Sequence, residues 1–172
     1  MEISLRPLGS IDSETTEEIG KRLDHVFGCP VKIKPGFDQL AHAYDSRRKQ
    51  YLASMLIASL NALEKEGDEK VLGIADVDLY APRLNFVFGE ADISSGTAVI
   101  SLCRLRQEFY GLPPDNRRFL ERAIKEAVHE LGHTFGLAHC SDPKCVMHFS
   151  NSLNDTDLKQ ATFCGKCRPR VV

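Results

Sequence analysis

The sequence has no surplus of either charge, no apolar run of membrane length and no internal repeat or low-complexity tract. Each absence narrows the field. A formal net charge of -2 over 172 residues offers no field to draw nucleic acid or an anionic membrane, so neither is expected as a partner. The short basic runs (Arg47-Arg48-Lys49, Arg117-Arg118, Arg104 with Arg106) read as solvated helix and loop faces. The most apolar stretch, YLASMLIASL at 51–60, is half the roughly 20 residues that cross a bilayer. The opening MEISLRPLGS lacks the basic region and apolar core of a secretory leader. The expectation is a soluble, cytoplasmic protein, monomeric, with one domain over 1–172. Residues 1–136 would form its upper part and 137–172 a C-terminal part. Its 42% hydrophobic content is enough for an ordinary core.

What is present alternates between strand and helix patterns. EISLRPL reads as a strand. SETTEEIGKRLDHVF follows as a helix, with Ile19, Leu23 and Val26 at helical spacing and acidic residues near its start. CPVKIKP is a short strand. Residues 47–65 read as one long amphipathic helix with Leu52, Met55, Leu56, Leu60 and Leu63 on one face. EKVLGIADVDLY, NFVFGEADI and TAVISLCRL are three further strands, and RLRQEFYGLPPDN is a loop. Asp115 or Asn116 can cap a helix through RRFLERAIKEAVHELGHTF. This order predicts an α/β (α+β) fold, a mixed sheet with two or three helices packed on it. After Gly136 periodicity fades.

The chemistry is concentrated in AVHELGHTFGLAHCSDPKC, 127–145. His129 and His133 are four apart on the expected helix, so they project from one face with Cβ atoms about 5–6 Å apart. Two imidazoles so placed can share a zinc. Glu130 is swung about 100° around the axis, beside the metal rather than facing it. Gly136 can end the helix in a sharp turn, which returns His139 to the same ion. Three imidazoles leave a fourth position for water, whose pKa zinc lowers to about 7. Glu130 would take the proton as general base and pass it to the leaving amine. The first five positions of H-E-x-x-H-x-x-G-x-x-H arise by chance in roughly one or two chains per hundred, but the full pattern in only about one per ten thousand.

Six cysteines in a reducing compartment shift expectation from disulfides toward metal. Cys29 and Cys103 read as buried small side chains. Cys140, Cys145, Cys164 and Cys167 form two pairs with a mid-length spacer, the pattern of a closed four-thiolate zinc site with a structural role. Two disulfides or unrelated thiols are the alternatives. Met147 is either core filler or an apolar floor beneath the imidazoles. His148 fits a role outside the ligand set better than a fourth ligand. His25 and His42 have no partners at ligand spacing.

His129-Glu-Leu-Gly-His-Thr-Phe-Gly-Leu-Ala-His-Cys140, Cys145-Val146-Met147 and Cys164-Gly-Lys-Cys167 resemble the archaemetzincins, a branch of the metzincin zinc metalloproteases. The resemblance is specific over 129–167. It implies a metzincin-like twisted mixed sheet with an antiparallel edge strand, a long active-site helix and a small zinc-stapled C-terminal part. It also implies a catalytic Zn2+ on His129, His133 and His139, Glu130 as base, Met147 in the Met-turn, and a second, structural Zn2+ on Cys140, Cys145, Cys164 and Cys167. NFVFGEAD would be the edge strand that pairs with a peptide or protein substrate, and TAVISLC the inner strand. The tyrosine that some metzincins carry after the methionine is replaced here by His148 and Phe149.

Two rivals stand beside this reading. Some ribosomal-RNA maturation endoribonucleases gather three histidines at similar spacing, but they lack the glutamate and the cysteine tail. A non-catalytic zinc-binding interaction module would use the basic residues Lys166, Arg168 and Arg170 for a partner. Among peptidases, an aminopeptidase needs a carboxylate for the substrate ammonium, and Glu90 and Asp92 are the candidates.

Overall fold

A computed structural model describes residues 1–171. In chain order the elements are β1 (Glu2–Leu8), α1 (Ser13–Phe27), β2 (Val31–Ile33), β3 (Tyr44–Asp45), β4 (Gln50–Leu52), α2 (Ala53–Asn61), β5 (Glu69–Ala75), β6 (Leu79–Tyr80), β7 (Gly89–Asp92), β8 (Thr97–Ser101), α3 (Asn116–Thr134) and α4 (Leu153–Leu158). The main sheet has the order β2-β1-β5-β8-β7. The first four strands run parallel, and β7 pairs antiparallel with β8 at the edge. The fold is the expected α/β mixed sheet with an antiparallel edge strand.

Side-chain alternation explains how the sheet is covered on both faces. Ile3, Leu5, Leu72, Ile74, Ala98 and Ile100 point to one side, where α1 and α3 bring Ile19, Leu23, Ala127, Val128 and Leu131. Val71, Ala75 and Val99 point to the other, against Leu56 and Leu60 of α2. The central strands β5 and β8 are therefore apolar almost throughout, as parallel strands sandwiched between helices are.

The expected helix over 47–65 is corrected. Gln50–Leu52 is a strand, and α2 covers only Ala53–Asn61. The helical spacing of Leu52, Met55 and Leu56 is real, but backbone pairing captures its first turn. Tyr51 and Leu52 pair with Leu79 and Tyr80, while the Gln50 side chain donates to Asp78 (3.1 Å) and to the Asn85 carbonyl (2.8 Å). EKVLGIADVDLY divides into β5 and β6. NFVFGEADI contributes regular strand only at Gly89–Asp92, with Val87 bridging to Leu79. Helix α4 falls in the tail where no periodic element was expected.

Candidate metal centre

Helix α3 is the platform. Asp115 caps it by accepting from the Arg118 amide at 3.0 Å. Its far end closes with two bonds, Gly136 N–H to the His133 carbonyl (2.8 Å) and Leu137 N–H to the Gly132 carbonyl (3.2 Å). This is the Schellman arrangement. It needs a left-handed residue after the cap, supplied by Gly136 at φ 80°. The chain then doubles back and brings His139 beside the two helix histidines. One side-chain nitrogen from each of His129, His133 and His139 lies within 4.8 Å of the others.

Hydrogen bonds fix the tautomers. His129 Nδ1 faces the Val146 carbonyl at 2.7 Å, and His133 Nδ1 faces the Leu137 carbonyl at 2.7 Å. A carbonyl only accepts, so both Nδ1 atoms carry the proton and both Nε2 atoms present lone pairs. Those two Nε2 atoms are 3.1 Å apart. With no proton between them, that contact is repulsive unless a cation sits there. Two nitrogens at roughly 2.0–2.1 Å from one tetrahedral zinc are about 3.3 Å apart. The donor set therefore fits a metal ion. Burial holds all three imidazoles toward the neutral form that ligation needs, His129 most strongly. His139 is the exposed member, yet its ring is turned inward, 4.9 Å from that of His133.

Glu130 shares a cleft of about 460 Å³ with the three histidines; its walls include Leu84, Ile93 and Phe149, and three residues of β7, Gly89, Glu90 and Ala91. Burial pushes the Glu130 carboxyl well above its ordinary value; Glu126 and Glu90 add to the rise and Lys159 opposes it. The edge strand approaches so closely that a Cβ on Gly89 would stand 2.5 Å from Glu130 Cγ. Glu90 also faces the cleft. Its Oε2 is buried without a partner, and burial raises its carboxyl. Asp92, the other candidate for an ammonium, is not part of the cleft lining and instead bonds the Ser94 hydroxyl (2.6 Å) and amide (2.9 Å).

Met147 is fully buried, and its sulfur lies against Gly132, the residue before His133 in sequence; a Cβ there would collide with it. Cys140 N–H donates to the Met147 carbonyl at 2.9 Å, which ties the segment after His139 to the turn that carries the methionine. His148 stands outside the histidine cluster, with Nδ1 against the Cys140 carbonyl at 3.0 Å.

The sulfurs of Cys140, Cys145, Cys164 and Cys167 lie within 4.8 Å of one another. All six cysteines are free, so the disulfide alternative is not what forms. Cys140 and Cys164 are 3.8 Å apart, close to the roughly 3.8 Å that Zn–S bonds of 2.3 Å give in a tetrahedron. The Cys167 and Lys166 amides lower the Cys164 thiol, whereas burial and the neighbouring thiols raise Cys145 and Cys167, as expected of four sulfurs crowded together. Cys29 is buried and Cys103 half-buried, both outside this group.

Sequence reasoning passed over Glu126 and Lys159. Glu126 lies four residues before Glu130, on the same helix face, and lines the same cleft. Lys159 is fully buried, 3.0 Å from Glu126. Helical spacing is the signal that could have found Glu126. By sequence alone, Lys159 is an ordinary tail charge.

Residues 14–171 match the profile of peptidase family M54. An archaemetzincin of Methanocaldococcus jannaschii is 45% identical over 99% of this chain and 93% of its own. A zinc-dependent peptidase from Methanocorpusculum labreanum superposes with a TM-score of 0.90 at 32% identity, covering 99% of this chain and 100% of that one. The archaemetzincin of Archaeoglobus fulgidus, solved with malonate, superposes at 0.85 with 37% identity over 99% of both chains. Sequence and shape agree: this chain belongs to peptidase family M54, the archaemetzincins, and is a zinc metallopeptidase.

Proposed function

We propose that the cleft hydrolyses peptide bonds with His129, His133 and His139 holding zinc and Glu130 as general base. A second zinc would be held by Cys140, Cys145, Cys164 and Cys167. The observation that carries this reading is the pair of facing Nε2 lone pairs, with the carboxyl of Glu130 in the same cleft. Zinc bound by three neutral imidazoles supplies a Lewis acid for water and for the scissile carbonyl. Glu130 orients the attacking water, takes its proton on a carboxylate oxygen and delivers that proton to the departing amine.

Among the described residues the outer edge of β7 is unpaired, and Gly89, Glu90 and Ala91 line the cleft. An extended substrate can add to the sheet there, with its scissile bond across the histidines. Glu90, with one carboxylate oxygen unpartnered, is the group to meet a substrate ammonium. Among the described residues no helix is long and apolar enough to cross a membrane. The acting unit is proposed to be a monomer.

The decisive experiment is zinc-dependent cleavage of a mixed peptide library, run beside Glu130→Gln. The variant should lose about 10²–10⁴-fold in kcat/KM while keeping its zinc. Equal cleavage by parent and variant would remove Glu130 from the chemistry. Cleavage of RNA instead of peptide would revive the nuclease reading.

A further inference from the structure

Lys159 heads the fully buried side chains, and nothing in the proposed chemistry uses it. Its ammonium lies 3.0 Å from Glu126 Oε1, to which the Thr156 hydroxyl also donates at 3.1 Å. It also reaches the His148 carbonyl at 3.5 Å. Both residues come from α4 and its cap. That helix is clamped onto α3 by Arg122, which donates twice to Asp157 at 2.7 Å, and by Lys125, which donates to the Thr156 carbonyl at 3.0 Å. Six residues of helix are thus held in place by charged side chains of the active-site helix, and they deliver one lysine to its inner face.

A buried ion pair is a poor device for stability. Desolvation of both charges offsets their attraction, and an apolar pair of similar volume often does as well or better. The position of this pair is more informative. Glu126 and Glu130 are four apart on α3, with Cβ atoms about 5–6 Å apart, and both line the cleft. The helix therefore presents two carboxylates where hydrolysis uses one. Without its cation, Glu126 would be an uncompensated buried charge one turn from Glu130, competing with it for protons and disturbing the field in which it acts.

We propose that Lys159 is a positioning residue for the hydrolysis: by occupying Glu126 it leaves Glu130 as the one helix carboxylate free to act, and through the His148 carbonyl it ties that arrangement to the methionine turn. The proposal rests on the peptidase reading above. Lys159 touches neither substrate nor the reacting atoms; it acts through Glu126.

Three proteins test it: parent, Lys159→Met, and the neutral pair Glu126→Gln/Lys159→Met. Rates are counted per folded, zinc-loaded molecule. The single variant should lose about tenfold or more in kcat with KM within about twofold, since an interaction felt in the transition state is disturbed and not substrate binding. The neutral pair should return to within about threefold of the parent, because it has no charge left to misplace. Parental kcat in Lys159→Met overturns the proposal and leaves a merely structural pair. So does a neutral pair that stays more than about tenfold impaired with zinc bound, because Lys159 would then act by another route. Should Lys159→Met not fold, Lys159→Gln, which also leaves the Glu126 charge uncompensated but keeps a hydrogen-bond donor, is held to the same limits in its place. Cobalt substitution separates this proposal from the one it rests on. If the parent cleaves no peptide, the peptidase reading fails, but the visible cobalt spectrum still reports the cleft. A band shifted by Lys159→Met and restored in the neutral pair supports the positioning role, and an unmoved band overturns it.

Discussion

The three histidines and the four cysteines meet the same requirement by opposite means. Two of the histidines are carried by α3, whose buried face (Ala123, Ala127, Val128, Leu131) fixes it against the sheet without any metal. The four cysteines sit on the segment after Gly136, which has only the six residues of α4 as α-helix among its described residues. A set of ligands that must keep one position vacant needs a frame that stays rigid on its own, because a flexible one would close over the ion. A set that surrounds its ion completely can be its own frame. On the proposed two-zinc reading, the difference separates the part of the chain that would organise metal from the part that metal would organise.

The contrast breaks most visibly at Cys164→Ser. If the tail is organised by its ion, zinc should fall from about two per chain to about one, and residues 137–171 should become sensitive to protease. The histidine site should weaken too, by roughly 10–100-fold in zinc affinity, because the Val146 carbonyl that orients His129 is next to Cys145. Metal content by mass spectrometry and a zinc-competition titration read both. A variant that keeps two ions and a protected tail would show that packing, not thiolates, holds that segment.

A smaller effect sharpens the other half. Gly132→Ala places a methyl group against the Met147 sulfur, under a helix said to be rigid. Overpacking of this kind costs about 1–3 kcal/mol, read as a lower urea midpoint. Gly165→Ala, where no described residue lies within 4 Å of the added carbon, is the paired control in the cysteine segment and should leave the midpoint unchanged. Equal losses at the two positions would erase the distinction.

The smallest expected effect is electrostatic. Burial raises the Glu90 carboxyl above 4.5, so the folded state keeps that proton to a higher pH than the unfolded chain does. Stability in the metal-free protein should therefore fall as pH rises from about 4.5 through the folded value. Glu90→Gln removes this component and should flatten the dependence, as urea unfolding across that range would show. A steeper dependence in the variant would mean that Glu90 is paired in solution.

Much of this was readable from residues alone. The spacing of His129, His133, Gly136 and His139 encodes a helix and its end, both local, and the cysteine pairs announce themselves by type. That β7 is the edge strand and β8 lies inside it was legible only through the family resemblance, not from local spacing. The errors share a cause. The first turn of the supposed long helix became β4 because Tyr51 and Leu52 found partners 28 residues away, at Leu79 and Tyr80. Lys159 was invisible because its partner, Glu126, lies 33 positions earlier. Helix α4 carried one local sign, Ser152 as cap with Asp155 three residues on, but no apolar stripe to make it stand out. Periodicity reports what a residue does for its own turn; it is silent on contacts that only the finished fold creates.

His139 and Cys140 are neighbours in the chain, so a single peptide unit joins one ligand set to the other, with Cα atoms held about 3.8 Å apart. Under the proposed two-zinc reading that link is a rigid yoke: neither cluster could change its coordination without dragging the other along, and a chelator that stripped the cysteine-held ion would pull directly on the histidine-held one.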